Sequence, residues 1–199
     1  MTRASRGPTR PAYIRLSAVL VALVFALASC GTSSNTTDPP NAKKASTELN
    51  AGLKAHAAGN LSVAVADYQG ALKYDHKNKY ALYNLGVIDA ANGNFGLAED
   101  KYRVVLALDP NYAPALYNLA ILRTARGDSK EAMTLYERVV AADSKAAAAW
   151  LNLGLLQRAA GQRVAGDSSI KKASTLNPKL KDPAKTTVTP ATPSGTATK

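Results

Sequence analysis

Residues that build metal sites and disulfides are scarce in this chain of 199 residues. Cys30 is the single cysteine, so neither an intramolecular disulfide nor a thiolate metal cluster can form. The two histidines, His56 and His76, occupy unrelated positions in the repeat frame described below, and a lone histidine is more often a packing or surface residue than a ligand. The sequence therefore predicts no metal site and no bound cofactor.

Patterns typical of catalysis are also missing. No glycine-rich phosphate-binding loop stands between a strand and a helix, because no segment alternates as a strand does. Acid–base catalysis needs groups held within hydrogen-bond reach of one another, whereas Glu48 and Asp89 stand singly in the repeat pattern. We therefore predict that the protein is not an enzyme and takes no small-molecule substrate.

The amino-terminal segment has the pattern of an export signal. Residues 1–15 are basic and contain no acidic residue, and an apolar run follows from Leu16 to Ala28. A positive end, a short apolar core and small residues before a cleavage site make up a secretory signal. This run of 13 residues is shorter than the ~20 that a spanning helix needs. We predict a signal peptide at residues 1–29, with an uncleaved transmembrane anchor as the alternative.

The end of this segment, "LASC" at residues 27–30, resembles the lipobox of bacterial lipoproteins. The resemblance implies cleavage before Cys30 and a diacylglyceryl group on its sulfur. Two acyl chains anchor a protein stably, whereas one gives only marginal binding. The expected location is therefore the extracytoplasmic face of the cell membrane, or the periplasm and outer membrane in a diderm bacterium.

Basic residues outnumber acidic ones, 25 to 14, for a net charge of +11. Such a balance usually indicates a nucleic-acid partner, but export makes that partner unexpected, and we predict none. The basic carboxyl-terminal end, with Lys171, Lys172 and Lys179, either contacts anionic lipids or wall polymers or only solvates the surface, and we favour the second interpretation.

Two segments lack the apolar residues that a core requires. Cys30 and the polar residues up to 44 are predicted to form a lipidated end and a flexible tether. Residues 181–199, rich in Thr, Pro and Lys, are predicted to form a disordered tail.

Between these segments the chain repeats itself every 34 residues. "ALYNLG" at 81–86 returns as "ALYNLA" at 115–120 and "AWLNLG" at 149–154, and "TELNAG" at 47–52 is a weaker copy. The predicted units are 45–78, 79–112, 113–146 and 147–180. A glycine suited to end a helix recurs at Gly59, Gly93, Gly127 and Gly161. Small residues recur at Gly52, Gly86, Ala120, Gly154, Ala64, Ala98, Ala132 and Gly166, and large ones at Tyr68, Tyr102, Tyr136 and Ile170.

This period, with its "NLG", alanine, tyrosine and closing proline, resembles the tetratricopeptide repeat. The resemblance implies an all-α fold, a right-handed α-solenoid of four helix–turn–helix repeats over residues 45–180. The polar second helix of the last unit is expected to cap the stack. Gly166 stands where alanine is usual, and glycine costs about 1 kcal/mol inside a helix, so Gly166→Ala is expected to stabilise the protein.

The resemblance also places one face of each first helix in a concave groove that binds extended peptides. An asparagine stands at one groove position in all four units. These asparagines either bond to the neighbouring repeat or form a ladder of amides for a peptide backbone, with Tyr83 and Tyr117 as anchors. The positions that hold a Lys and Arg carboxylate clamp in some relatives are apolar or tyrosine here. The predicted groove residues are Leu49, Asn50, Leu53, Tyr83, Asn84, Val87, Tyr117, Asn118, Ile121, Leu151, Asn152 and Leu155.

A groove of this kind implies a membrane-anchored scaffold or adaptor with a protein or peptide partner. The alternatives are a lipoprotein of pilus or secretion assembly and an accessory subunit of a cell-wall synthesis enzyme. A generic groove does not specify the partner.

Replacing Cys30 with Ala tests the predicted anchor. The variant is expected either to keep its uncleaved precursor or to leave the membrane fraction, because the acyl acceptor is gone. Cell fractionation and mass spectrometry of the mature amino terminus measure both effects. Identical partitioning of variant and wild type, with an unmodified Cys30 in the latter, contradicts the prediction.

Overall fold

Eight α-helices make up the part of the chain that the computed structural model describes, residues 41–183. Residues 1–29 and Cys30, with most of the predicted tether and tail, lie outside this range. Within residues 41–183 no helix is both long and apolar enough to span a bilayer. The helices are α1 (Ala42–Ala57), α2 (Leu61–Tyr74), α3 (Lys79–Ala91), α4 (Phe95–Leu108), α5 (Ala113–Arg126), α6 (Ser129–Ala142), α7 (Ala147–Ala159) and α8 (Arg163–Leu176).

The helices pack as a row of pairs. Each pair (α1 with α2, α3 with α4, α5 with α6, α7 with α8) makes its own close interface, and the second helix of each pair packs on the first helix of the next. Each pair falls within one predicted unit, except that α1 begins at Ala42, before the first unit. The predicted fold class, an all-α solenoid of helix–turn–helix repeats, is confirmed.

The turn inside each pair depends on a glycine. Gly59, Gly93, Gly127 and Gly161 have φ values of 78°, 78°, 87° and 81°, a left-handed conformation that other residues adopt only at a cost. The amide after each glycine bonds back to the carbonyl five residues earlier, as Asp128 N does to Arg123 O at 2.9 Å. This arrangement satisfies carbonyls that the end of a helix otherwise leaves open.

The core of each pair consists of a large side chain against a small one. Tyr68, Tyr102 and Tyr136 are at most 1% exposed. A Cβ atom added to Gly52 would lie 2.7 Å from the Tyr68 ring, and one added to Gly86 would lie 2.8 Å from the Tyr102 ring. The glycines therefore leave the space that the rings fill, which confirms the predicted pairing of small and large positions.

The last pair corrects the expectation for Gly166. A Cβ atom there would lie 2.7 Å from the backbone oxygen of Gly154, and a Cβ atom on Gly154 would lie 2.7 Å from the backbone oxygen of Gly166. The two glycines thus face each other where α7 and α8 approach most closely. The expectation that Gly166→Ala stabilises the protein is wrong, because the helix backbones leave no room for a methyl group.

Order extends beyond the predicted domain at both ends. Asn41 caps α1, its Oδ1 accepting from Lys44 N at 3.0 Å, so residues 42–44 are helical rather than part of the tether. At the other end Asp182 is 7% exposed, and its carboxylate accepts from Arg158 Nη1 and Nη2 at 2.7 and 2.8 Å. The start of the predicted tail therefore folds back on α7.

The turn after each pair uses a residue that the sequence analysis passed over. Asp75, Asp109, Asp143 and Asn177 follow α2, α4, α6 and α8 at intervals of 34, and each side chain accepts the backbone amide two residues on. Such bonds stabilise turns. The turn therefore forms even in the first and third units, which lack the closing proline.

Gly166→Ala is expected to lower the free energy of unfolding by about 1–3 kcal/mol, the usual cost of overpacking. Gly96→Ala in α4 is the matched control, because open space surrounds that glycine, and it should raise stability by about 0.4–1 kcal/mol. Urea unfolding followed by circular dichroism measures both. A stabilised Gly166→Ala variant contradicts the packing described here.

Candidate functional site

The twelve predicted groove residues lie on the first helices of the pairs, and none is fully buried. Leu53 and Ile121 are 43% and 41% exposed, which is high for large apolar side chains inside a helix. The remaining apolar and tyrosine residues of the set are half-buried. These positions form a surface with an apolar character, here called the groove.

Two recesses in the groove, here called the central recesses, are related by the repeat. The first, of about 270 Å³, is bounded by α3, α4 and α5, and the second, of about 330 Å³, by α5, α6 and α7. Ile121 lines both. The first recess is lined by Val87, Ala90, Phe95, Tyr102, Asn118, Ile121 and Leu122. The second is lined by Ile121, Thr124, Ala125, Tyr136, Asn152, Leu155 and Leu156.

Each central recess has an asparagine held by two tyrosines. Asn118 Nδ2 lies 3.2 Å from Tyr83 Oη and 3.4 Å from Tyr102 Oη. One repeat on, Asn152 Nδ2 lies 3.3 Å from Tyr117 Oη and 3.2 Å from Tyr136 Oη. An amide nitrogen has two hydrogens, so both donors are engaged between neighbouring repeats. The donors of these two amides therefore follow the alternative in which asparagine bonds to the neighbouring repeat, here the preceding one.

The first two asparagines are arranged differently. Asn84 Nδ2 donates to the carbonyl of Tyr80 in its own helix at 2.8 Å, and Asn50 is exposed. Leu49 stands relative to Asn84 as Tyr83 stands relative to Asn118, and leucine has no hydroxyl to accept the amide hydrogen. In the first pair His56 Nδ1 lies 3.3 Å from Tyr68 Oη instead. Four identical residues in the sequence therefore have at least two structural roles.

The tyrosines that hold the asparagines are closely packed. Burial raises the pKa of Tyr102 to about 12, and it also raises the pKa of Tyr83 and Tyr136. The ring centroids of Tyr83 and Tyr102 are 6.0 Å apart, and those of Tyr117 and Tyr136 are 5.7 Å apart. Part of each ring of Tyr83 and Tyr117 is therefore engaged in the packing, and only the remainder is available to a ligand.

A further recess, here called the end recess, lies where α5 and α7 begin. It has a volume of about 420 Å³, and its walls are two tyrosines, a run of alanines and one carboxylate. Its lining residues are Tyr83, Ala113, Pro114, Tyr117, Asn118, Val139, Asp143, Ala146, Ala147, Ala148 and Ala149. It adjoins the predicted groove through Tyr83, Tyr117 and Asn118.

A charged network that the sequence analysis missed joins α4, α5 and α6. Glu99 and Arg123 are 6% and 3% exposed and form an ion pair. Arg103 and Arg126 lie 2.8 and 3.1 Å from the Glu99 carboxylate, and Glu131 lies 2.9 Å from the Arg123 guanidinium. Burial by itself would raise the pKa of Glu99, but the arginines hold it below its usual value. Neither member of the buried pair recurs at 34 residues, so the repeat pattern gave no signal.

Asp128, with Oδ2 3.6 Å from Arg123 Nη1, brings the network to three acidic and three basic groups, a balance typical of a structural contact. Among the described residues, no cluster of three His, Cys, Asp or Glu side chains is placed to hold a metal ion.

Comparison with known proteins gives one family. Two models, both described as tetratricopeptide repeat, match residues 49–113 and 89–158, and together they cover more than half of the chain. No curated protein matches.

Several solved structures share the fold. MamA residues 41 to the end, from Desulfovibrio magneticus RS-1, is 26% identical, with 68% of this chain and 77% of that chain covered and a TM-score of 0.60. PilF from Pseudomonas aeruginosa is 22% identical over 69% and 64%, with a TM-score of 0.61. The first repeat domain of Spaghetti, bound to an HSP90 peptide, is 23% identical over 61% and 97%, with a TM-score of 0.56.

The tyrosine contacts predict unequal effects of replacing the asparagines. Asn118→Ala is expected to lower the free energy of unfolding by about 1–2 kcal/mol, since it removes two hydrogen bonds between repeats. Asn84→Ala, the matched control, should change stability by less than about 0.5 kcal/mol. Urea denaturation of both variants tests this, and equal losses from both would contradict the assignment.

Proposed function

Because the chain belongs to the tetratricopeptide repeat family, whose domains bind protein or peptide partners, we propose a specific form of that scaffold role. The protein is a membrane-anchored, extracytoplasmic adaptor. Its groove binds an extended segment of a partner protein through apolar side chains.

The observation that supports this proposal most is the recurrence of the central recesses on either side of Ile121. A large apolar side chain that is 41% exposed and lines two recesses favours a partner that covers it. Burying such a side chain fully contributes roughly 1.5–3 kcal/mol. Successive recesses of similar volume and chemistry suit successive apolar side chains of one extended segment.

The asparagines can serve both the fold and the ligand. The tyrosines engage the Nδ2 hydrogens of Asn118 and Asn152, and within residues 41–183 nothing donates a hydrogen bond to either Oδ1. An amide oxygen can accept from a peptide N–H. Because the tyrosines already fix the amide, the asparagine side chain would lose little conformational freedom when a ligand bonds to it.

The anchor part of the proposal depends on "LASC" and Cys30, at the end of the predicted signal peptide. Of the two alternatives, pilus or secretion assembly has a neighbour of similar fold in PilF, but at 22% identity that likeness concerns the fold alone. Neither alternative has an observation that favours it over the general adaptor.

The groove is tested with a partner captured from native membranes by the full, lipidated protein. Ile121→Ser is expected to weaken binding of that partner by about tenfold or more, the equivalent of ~1.4 kcal/mol, while helicity is retained. The matched control is Val164→Ser, because Val164 is 87% exposed and lines none of the recesses described. Titration calorimetry measures both affinities.

Equal affinities of Ile121→Ser and the wild type would place the binding surface elsewhere. A loss of affinity in the Val164→Ser control as large as that in Ile121→Ser would likewise contradict groove binding.

A further inference from the structure

The end recess has a counterpart one repeat earlier, and comparing the two shows what the recess lacks. At the earlier position the Tyr112 ring packs edge-on against Tyr83, with ring centroids 5.4 Å apart. Lys79 Nζ lies 5.2 Å from the centroid of the Tyr112 ring and 2.6 Å from Asp109 Oδ2. There, an aromatic ring and an ammonium group from the chain itself occupy the space.

In the end recess the residues that would fill it are small. Adding 34 replaces Lys79 with Ala113 and Tyr112 with Ala146, and both alanines line the recess. The backbone at this residue is nearly unchanged, since Tyr112 has φ −68° and ψ 92° and Ala146 has φ −68° and ψ 75°, and the amide of each bonds to the aspartate carbonyl three residues earlier at 3.1 Å. The opening therefore results from shortened side chains and not from a different path of the chain.

The residues that would receive a ring and a cation are kept. Tyr117 stands where Tyr83 stands in the earlier repeat, and Asp143 stands where Asp109 does. Both aspartates use Oδ1 to accept a backbone amide in their turn. The end recess thus retains an aromatic face and a carboxylate.

The second carboxylate oxygen distinguishes the turns. Asp109 Oδ2 is paired with Lys79, and in the first turn Asp75 Oδ2 accepts from Asn78 Nδ2 at 3.2 Å. Within residues 41–183 no Lys or Arg nitrogen lies within 4 Å of Asp143, and no side chain donates to it. Its charge is therefore available to a cation from outside the chain.

We propose that the end recess binds a tyrosine and a lysine of the partner, two residues apart in an extended segment. This inference rests on the proposed function, of which it defines one subsite. The tyrosine ring takes the place of Tyr112 against Tyr117, and the lysine ammonium takes the place of Lys79 at Asp143. Residues i and i+2 of an extended chain point to the same side, which presents the ring and the cation together.

Capped peptides test this composition directly. The probe is acetyl-Ser-Leu-Ser-Tyr-Ser-Lys-Ser-Leu-Ser-amide, with leucines on both sides for the central recesses. Two controls replace its tyrosine with Ala or its lysine with Glu. We expect the probe to bind about twofold to tenfold more tightly than the alanine control, as a ring–ring contact predicts. Asp143→Asn should reduce the preference for lysine over glutamate by about twofold to fivefold. Fluorescence anisotropy measures the affinities.

A variant whose end recess is filled by its own side chains, here called the refilled variant, provides the complementary test. The double variant Ala113→Lys with Ala146→Tyr restores the side chains of the earlier repeat, so its melting temperature should rise and its preference for the tyrosine peptide should disappear. Ala107→Tyr, an exposed substitution on α4 that lines none of the recesses described, is the matched control and should keep the preference.

The outcomes separate the subsite from the groove. If all three peptides bind equally well and Ile121→Ser weakens each of them, the groove is used but the end recess is not, and the subsite is overturned. If none binds while Ile121→Ser still weakens the captured partner, the subsite is overturned and the groove stands; if Ile121→Ser leaves that partner's affinity unchanged as well, both proposals fail. A dimer in sedimentation that the refilled variant abolishes would replace the peptide with a second copy of the chain.

Discussion

The packing of one large side chain against one small residue inside each helix pair is the contact on which the rest of the structure depends. Tyr68 and Tyr102 occupy the space over Gly52 and Gly86, and a ring in that space fixes how closely the two helices of a pair approach. A pair cannot bury its remaining apolar side chains alone, so it must stack on a neighbour with the same geometry. This requirement explains why the same residue types recur at one spacing.

The same tyrosines determine the chemistry of the groove. The rings of Tyr102 and Tyr136 are buried, yet their hydroxyls reach the central recesses and hold Asn118 and Asn152. A core residue thereby orients a surface amide. The groove is consequently a set of apolar recesses, each with one fixed amide oxygen, and its shape is set by the core that supports it. Where Leu49 replaces a groove tyrosine, the next amide turns to its own helix.

Residues that depart from the repeat pattern give this chain its buried ion pair and its end recess. The buried pair of Glu99 and Arg123 occurs at one interface only and joins the second unit to the third. Replacing Tyr112 and Lys79 by alanines one repeat later opens the end recess while Asp143 keeps its charge. Residues that obey the period therefore build the solenoid, whereas residues that break it make one surface of the solenoid different from the others.

The sequence by itself determined the fold, because helix pairs of 34 residues with glycine turns and matched small and large positions have one way to bury their apolar faces. It also predicted a peptide-binding groove along the first helices, and that assignment stays a prediction. It could not distinguish Asn84 from Asn118, since Asn118 bonds to tyrosines 16 and 35 positions earlier in the chain, whereas Asn84 bonds to a carbonyl four residues earlier. It misjudged Gly166, because helix propensity is local and the contact with Gly154 is not. Only the tertiary structure decided these roles, since each depends on which side chain a neighbouring repeat brings within reach.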